Sequence, residues 1–209
     1  MQFARGSLRY AAVPALLAAP AVLLTPLASA ACLLAGAGVL FFHRDPERST
    51  PPTGVVSPAD GHVAVVREED DRVRLGIYMR GRDVHVNRAP MAGVVESVDH
   101  VPGANKLAFR KESERNERLR FTFEDYDAEM IAGAFARRTR SYVEPGEFVE
   151  RGQRIGHISF SSRFDVVLPP EYDIGDLTVA EGNRVLAGET VVARPSEAVT
   201  VDDSAVAEK

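Results

Sequence analysis

Gly146-Glu147-Phe148-Val149-Glu150-Arg151-Gly152-Gln153-Arg154-Ile155 returns later in the chain as Gly182-Asn183-Arg184-Val185-Leu186-Ala187-Gly188-Glu189-Thr190-Val191, with glycine, valine, glycine and a β-branched residue at the same three-residue steps. A valine set between two glycines suits tight turns that feed successive short strands, because glycine enters left-handed backbone at little cost. Repetition of one turn-and-strand unit predicts a small, flattened barrel. Outward from these segments, short apolar runs bounded by turn residues predict strands at Val55-Val56, Val63 to Val66, Val73 to Tyr78, Gly93 to Val98, Leu119 to Phe123, Met130 to Phe135 and Ile155 to Phe160. Helical periodicity is weak in this part of the chain. Its best candidate, the polar stretch Phe109 to Arg118, reads equally well as a loop. The body is therefore expected to be mainly β.

The glycine pattern resembles the biotinyl/lipoyl-type barrel-sandwich hybrid. Carriers of that type modify a lysine at a hairpin tip, and lysine occurs here only at Lys106, Lys111 and Lys209. A carrier role thus has no residue to act on between the two repeat units. A net charge of -5 speaks against nucleic-acid binding, which draws on a basic excess. The single Cys32 excludes an internal disulfide framework, and His43, His62, His85, His100 and His157 show no close pair at ligand spacing, so no metal is expected.

The amino terminus has another composition. From Tyr10 to Phe42 the chain carries no charge and is dominated by Ala, Leu and Val. One membrane-spanning helix needs ~20 apolar residues and two need ~40, so the run is long for one and short for two. Pro14, Pro20 and Pro26 interrupt regular helix, and Arg5, Arg9, Arg44 and Arg48 place positive charge on both flanks. This predicts a helical membrane anchor over residues 1–43, a hairpin or re-entrant segment with both ends on the cytoplasmic side. The competing reading is a signal peptide cut after Ala28-Ser29-Ala30, which would leave a mature chain starting on an exposed apolar segment. A polar, proline-rich linker follows over 44–54. The acidic tail, 196–209, is expected to be disordered.

Four segments carry residues suited to chemistry. In Ile158-Ser159-Phe160-Ser161-Ser162-Arg163-Phe164-Asp165-Val166-Val167-Leu168-Pro169, adjacent serines interrupt what otherwise reads as a buried strand. Buried hydroxyls and charges must be satisfied or functional, and bonding of both serines to neighbouring backbone accounts for them equally well. In Ser57-Pro58-Ala59-Asp60-Gly61, turn chemistry alone makes Asp60 a structural residue. In Asp83-Val84-His85-Val86-Asn87-Arg88-Ala89-Pro90, strand alternation puts Asp83, His85 and Asn87 on one side, and a histidine pKa of ~6.5 suits proton transfer. A surface histidine is the plainer alternative. Glu114 to Arg118 reads as a solvated charge run, and Ile131 to Phe135 as an apolar strand followed by Arg137, Arg138 and Arg140, which suit anionic headgroups.

Together with Phe41-Phe42-His43-Arg44-Asp45-Pro46-Glu47-Arg48, these motifs resemble the pyruvoyl-dependent phosphatidylserine and archaetidylserine decarboxylase family from about Phe41 to Pro169. The resemblance implies a zymogen that cleaves itself between Ser161 and Ser162, Ser162 becoming a covalent pyruvoyl cofactor. The two fragments would stay together as a heterodimer over a decarboxylase domain of residues 55–195, with a homo-oligomer as an open further step. It implies a membrane lipid as substrate, loss of CO2 in phospholipid biosynthesis, and a catalytic set of Ser162, His85 and Asp60, with Asp60 orienting the base. Arg163, Arg88 and Asn87 are the candidate substrate-binding residues. Three positions depart from the family pattern. Ser161 replaces a glycine, His43 is an insertion or substitution, and Arg88 stands where many bacterial relatives have a second histidine, so that His85 acts alone or shares its work with an unidentified group. A serine hydrolase or a noncatalytic tethered β-domain would instead remain one uncut chain.

Overall fold

The computed structural model describes residues 2–103, 116–133, 139–159 and 162–195. Strand β1 (Gln2–Phe3) leads into helices α1 (Leu8–Ala21) and α2 (Pro26–Phe42). The body follows as β2 (Arg44–Asp45), β3 (Val55–Val56), β4 (Gly61–Glu69), β5 (Arg72–Met79), β6 (Val86–Arg88), β7 (Gly93–Val101), β8 (Arg118–Phe123) and β9 (Asp127–Ala132). It closes with β10 (Thr139–Ser141), β11 (Phe148–Val149), β12 (Arg154–Ile158), β13 (Ser162–Val167), a 3-10 turn at Ile174–Asp176, β14 (Arg184–Val185) and β15 (Val191–Ala193). The molecule is mainly β, as its composition and short apolar runs predict.

One curled sheet of eight antiparallel strands runs β11-β7-β8-β9-β13-β5-β4-β14, and a second of three runs β10-β12-β6. β13 lies between β5 and β9, and all six of its residues are buried. Phe164, Phe121, Leu75, Ile77 and Met130 form the densest part of the core, each 0 % exposed, and each such side chain contributes ~1.5–3 kcal/mol when removed from water.

The glycine repeat folds as a repeat. Gly146, Gly152, Gly182 and Gly188 all have positive φ, between 71° and 87°, where a side chain would be strained. Each unit docks on a matching partner that sequence reading missed: Ser57-Pro58-Ala59-Asp60-Gly61-His62-Val63 and Ala89-Pro90-Met91-Ala92-Gly93-Val94-Val95 share Pro, Gly and Val at the same steps. Val149 pairs with Gly93 and Val185 with Gly61; Gly146 N–H bonds to the Val95 carbonyl and Gly182 N–H to that of Val63. Asp60 has Ala92 as its counterpart, so it breaks the internal symmetry.

The apolar amino terminus forms a helical hairpin. Pro26 sits at the first turn of α2, where its missing N–H costs nothing, and Thr25 caps that turn by accepting from Ala28 N–H. Pro14 and Pro20 are accommodated inside α1. Leu16, Leu17, Leu23, Leu24, Leu27 and Leu34 are exposed along the hairpin and at its tip. No helix among the described residues is long and apolar enough to cross a membrane. At the root, β1 pairs with β2, so both ends of the hairpin are tied together. The segment after it is no loose linker: Asp45 pairs with Arg88 and Arg154, and Arg48 with Asp60 and Glu189.

Two expectations change. Ile158 to Pro169 is not one strand but the end of β12 and the whole of β13, which belong to different sheets. Asp83 and His85 do not lie on a strand, since β6 begins only at Val86. Most of the Phe109 to Arg118 stretch, the segment Ala134 to Arg138 and the tail 196–209 lie outside the described residues.

Candidate active site

Ser162 is the first residue of β13, opposite Met79 of β5 and Ala132 of β9, and is 0 % exposed. By strand alternation it shares a face with Phe164 and Val166, the face that packs into the apolar core. Among the described residues its hydroxyl reaches only the Met79 sulfur, at 3.9 Å, which is a weak contact. Ser161 lies outside the described residues. The bond between Ser161 and Ser162 falls where the chain leaves the small sheet for the large one.

Asn87 reaches the same sulfur, its amide nitrogen 3.5 Å from Met79 Sδ, while its Oδ1 is buried with no hydrogen-bond partner among the described residues. His85 is 2 % exposed and immediately precedes β6. Its Nδ1 lies 2.9 Å from the Asp83 carbonyl. A carbonyl can only accept, so Nδ1 carries the proton and Nε2 keeps its lone pair. Among the described residues that Nε2 is buried without a hydrogen-bond partner. Burial holds the His85 pKa down to about 4, so the ring is neutral at ordinary pH and can take a proton. Asp83 caps its own turn, accepting Arg80 N–H at 2.8 Å, and its Oδ1 has no hydrogen bond among the described residues, lying 3.8 Å from the Arg184 guanidinium.

Asp60 is 4 % exposed, and its carboxylate is gripped by both Arg48 contacts, at 2.9 and 3.0 Å, and by Ala187 N–H at 2.8 Å. Burial raises its pKa against the opposing pull of that N–H and of Arg48, and the Asp83 charge adds to the rise. Among the described residues, no hydrogen bond joins Asp60 to His85 or His85 to Ser162. The carboxylate whose residue holds the His85 ring is Asp83, through its backbone.

Two of the three candidate substrate ligands are placed elsewhere. Arg163 alternates away from Ser162 and forms a bidentate pair with Asp165, at 2.7 and 2.9 Å, on the opposite face of the sheet. It therefore faces away from Ser162. Arg88 donates to the Gly152 and Pro46 carbonyls and to Asp45, which bolts the linker to a repeat turn. Only Asn87 shares the surroundings of Ser162.

The hairpin root supplies a wall of the site that the sequence motifs did not reveal. Phe42 packs on His85 with ring centroids 4.5 Å apart, and His43 meets His157 edge to face at 6.0 Å. His157 is 3 % exposed and its Nδ1 lies 2.9 Å from the Tyr142 hydroxyl. The available signal was the same as for the serines: a polar ring inside the buried run Ile155 to Ile158.

The chain matches the family model for phosphatidylserine decarboxylase over residues 36–193. It is 59% identical over 157 residues to a Halobacterium salinarum protein named as an archaetidylserine decarboxylase proenzyme, covering 75% of this chain and 80% of that one. A phosphatidylserine decarboxylase proenzyme of Streptomyces avermitilis is 47% identical over 163 residues, 76% of this chain and 74% of its own length. A third relative, a phosphatidylserine decarboxylase proenzyme of Salinibacter ruber, is 42% identical over 174 residues. With a buried serine at a sheet junction, a neutral histidine held by the Asp83 backbone, and matches of this extent, the chain belongs to the phosphatidylserine decarboxylase family of carboxy-lyases.

Proposed function

We propose that the chain is a self-processing proenzyme that breaks the bond between Ser161 and Ser162 and then converts phosphatidylserine or archaetidylserine to the ethanolamine lipid with release of CO2. One observation carries this reading. Ser162 is fully buried and, among the described residues, its hydroxyl reaches only the Met79 sulfur that Asn87 also contacts, while His85 Nε2 and Asn87 Oδ1 are buried with no hydrogen-bond partner among those residues. Buried polar atoms are ordinarily matched, so a set left open marks chemistry. The relatives' designation as proenzymes fits the same reading.

In self-cleavage the Ser162 hydroxyl attacks the carbonyl carbon of residue 161 and its proton passes to His85 Nε2. The peptide C–N bond breaks and an ester forms. Loss of the Ser162 Cα proton then expels the residue 161 carboxylate, and water displaces ammonia from the dehydroalanine that remains. The resulting pyruvoyl group would condense with the substrate amine and take up the electrons left by CO2. His85 Nε2 would first take up the proton that the substrate ammonium gives up on condensing, and would then return it to the product. Asn87 orients the reacting groups, and Asp60 contributes by locking the turn that carries it to the repeat and to Arg48. The two fragments remain one folded unit, because β13 on the short fragment pairs with β5 and β9 on the long one. The paired repeat units are what a barrel-sandwich hybrid of the biotinyl/lipoyl type requires.

The hairpin is read as the membrane anchor of this enzyme. At ~1.5 Å per residue its helices of 14 and 17 residues extend about 21 and about 25 Å, short of a ~30 Å hydrocarbon core. That length suits re-entrant insertion of the leucine-rich tip into one leaflet. Arg5, Arg9, Arg44, Arg82 and Arg140 have no carboxylate partner among the described residues; Arg5 and Arg44 flank the hairpin and Arg9 lies in the first turn of α1, as expected of an anchor whose root and catalytic domain face the cytoplasm.

Intact mass spectrometry of the purified protein tests the proposal. The expected result is two chains, residues 1–161 and 162–209, the shorter carrying a carbonyl reducible by borohydride. A single uncut chain with an ordinary serine at 162 would refute it.

A further inference from the structure

His157 has the burial and partners of a working residue, yet no motif assigns it one. Arg5 backbone N–H donates to the Tyr142 hydroxyl oxygen at 2.9 Å, and the same hydroxyl lies 2.9 Å from His157 Nδ1. Among the described residues, the Tyr142 hydroxyl has no other partner. If Nδ1 carried a proton, that oxygen would accept twice and the phenol proton would be left without an acceptor, a costly arrangement for a half-buried group. The phenol proton therefore points at Nδ1, and the His157 proton resides on Nε2. His85 has the opposite tautomer, because its Nδ1 donates to the Asp83 carbonyl. The two imidazoles stand on adjacent segments: Ile158 N–H bonds to the His85 carbonyl at 3.2 Å, and His157 is in register with Val86. His43, on the hairpin root, contacts His157, and its neighbour Phe42 contacts both His43 and His85.

We propose that His157 is the second imidazole of this centre, a neutral Nε2–H donor whose polarity is set by Tyr142 and, through it, by the Arg5 amide at the start of the hairpin. His85 accepts and His157 donates. This division of labour supplies the partner that Arg88, bound to Gly152, Pro46 and Asp45, does not provide. Burial, reinforced by the charges of His43, Arg140 and His85, holds the His157 pKa down to about 4, which keeps the ring neutral as a donor of this kind requires. Tyr142 is then a positioning residue, acting on the reaction only through His157. The inference rests on the self-processing reading, since processing is the reaction whose rate reports it.

The test compares full-length wild type, Tyr142→Phe, His157→Gln and Ser162→Ala in cell-free synthesis, following chain splitting on denaturing gels, together with histidine 15N NMR of the unsplit Ser162→Ala protein. The spectrum should show His157 protonated at Nε2 and His85 at Nδ1, and adding Tyr142→Phe should convert His157 to a tautomer mixture while leaving His85 unchanged. Splitting should slow at least ~10-fold in Tyr142→Phe and ~100-fold in His157→Gln, the range for losing a positioned proton-transfer partner. Wild-type splitting rates in both variants, or a His157 signal protonated at Nδ1, would overturn the inference. Wild type that never splits refutes the self-processing reading, and the tautomer spectrum still decides the polarity of His157. A His157→Gln protein that fails to fold leaves the Tyr142→Phe rate and the spectrum as the deciding measurements.

Discussion

The two faces of β13 are built from one six-residue strand and do opposite things with buried polarity. Toward the core, Ser162, Phe164 and Val166 lie among apolar side chains, and among the described residues His85 Nε2 and Asn87 Oδ1 are buried without a hydrogen-bond partner. Toward the other side, Arg163 and Asp165 sit in a lattice of matched charge: Asp165 takes Arg163 and Arg74, and Glu129 takes Arg74, Arg118 and Arg120. Gly76 of β5 makes room for this, since a Cβ there would come within 2.7 Å of Asp165 Oδ1. The difference teaches where to look for chemistry. A buried carboxylate with two guanidinium partners is structural, whereas buried acceptors without a hydrogen-bond partner among the described residues mark the face on which the proposed chemistry takes place.

Substitutions on the two faces should therefore fail in different ways. Ser162→Ala removes a single oxygen from the core face and should abolish chain splitting altogether while the protein still folds, read by denaturing gel and by circular dichroism. Asp165→Ala should instead spare the chemistry of Ser162 and destabilise the fold by ~3–5 kcal/mol, because it removes the buried carboxylate that both Arg163 and Arg74 contact. Urea denaturation of the unsplit Ser162→Ala background measures that loss, and the double change Arg163→Met with Asp165→Leu should recover most of it. A loss under 1 kcal/mol in the single variant would show that the charged face is not the rigid scaffold described here.

The core face should also respond to acid. His85 and His157 have folded pKa values near 4, below the ordinary 6.5, so the unfolded chain binds more protons between those limits. Stability is then full at neutral pH and falls as pH drops through that window. Between roughly pH 7.5 and roughly pH 5 each histidine should cost on the order of 2 kcal/mol, and the His85→Gln protein should lose the His85 share of the slope. Urea midpoints across that range check it. The smallest effect belongs to the rim of the charged lattice, where Arg67 and Glu69 are both substantially exposed: Arg67→Ala should change stability by less than ~1 kcal/mol.

Much of this was legible along the chain because it depends on local chemistry. Turn glycines and the alternation of short apolar runs read correctly as turns and strands, and the uncharged amino terminus as helical. What failed depended on pairing. Ile158 to Pro169 looked continuous because nothing in the order of residues says that β12 and β13 bond to different sheets. Arg163 looked close to the reaction because it neighbours Ser162 in sequence, yet neighbours on a strand face opposite ways. His157 was invisible as a partner of His85 because the pairing of β12 with β6 brings together residues seventy positions apart, and Tyr142 and Arg5 arrive from two further segments.

By itself the amino-acid order determined the building units: which stretches turn, which bury an apolar face, and which side chains are able to exchange protons. Only the tertiary structure decided which of those side chains meet, which face of β13 each occupies, and which nitrogen of each histidine holds its proton. The physical reason is that propensity and periodicity act over a few residues, whereas a hydrogen-bond partner is selected by the sheet register of strands distant in the chain.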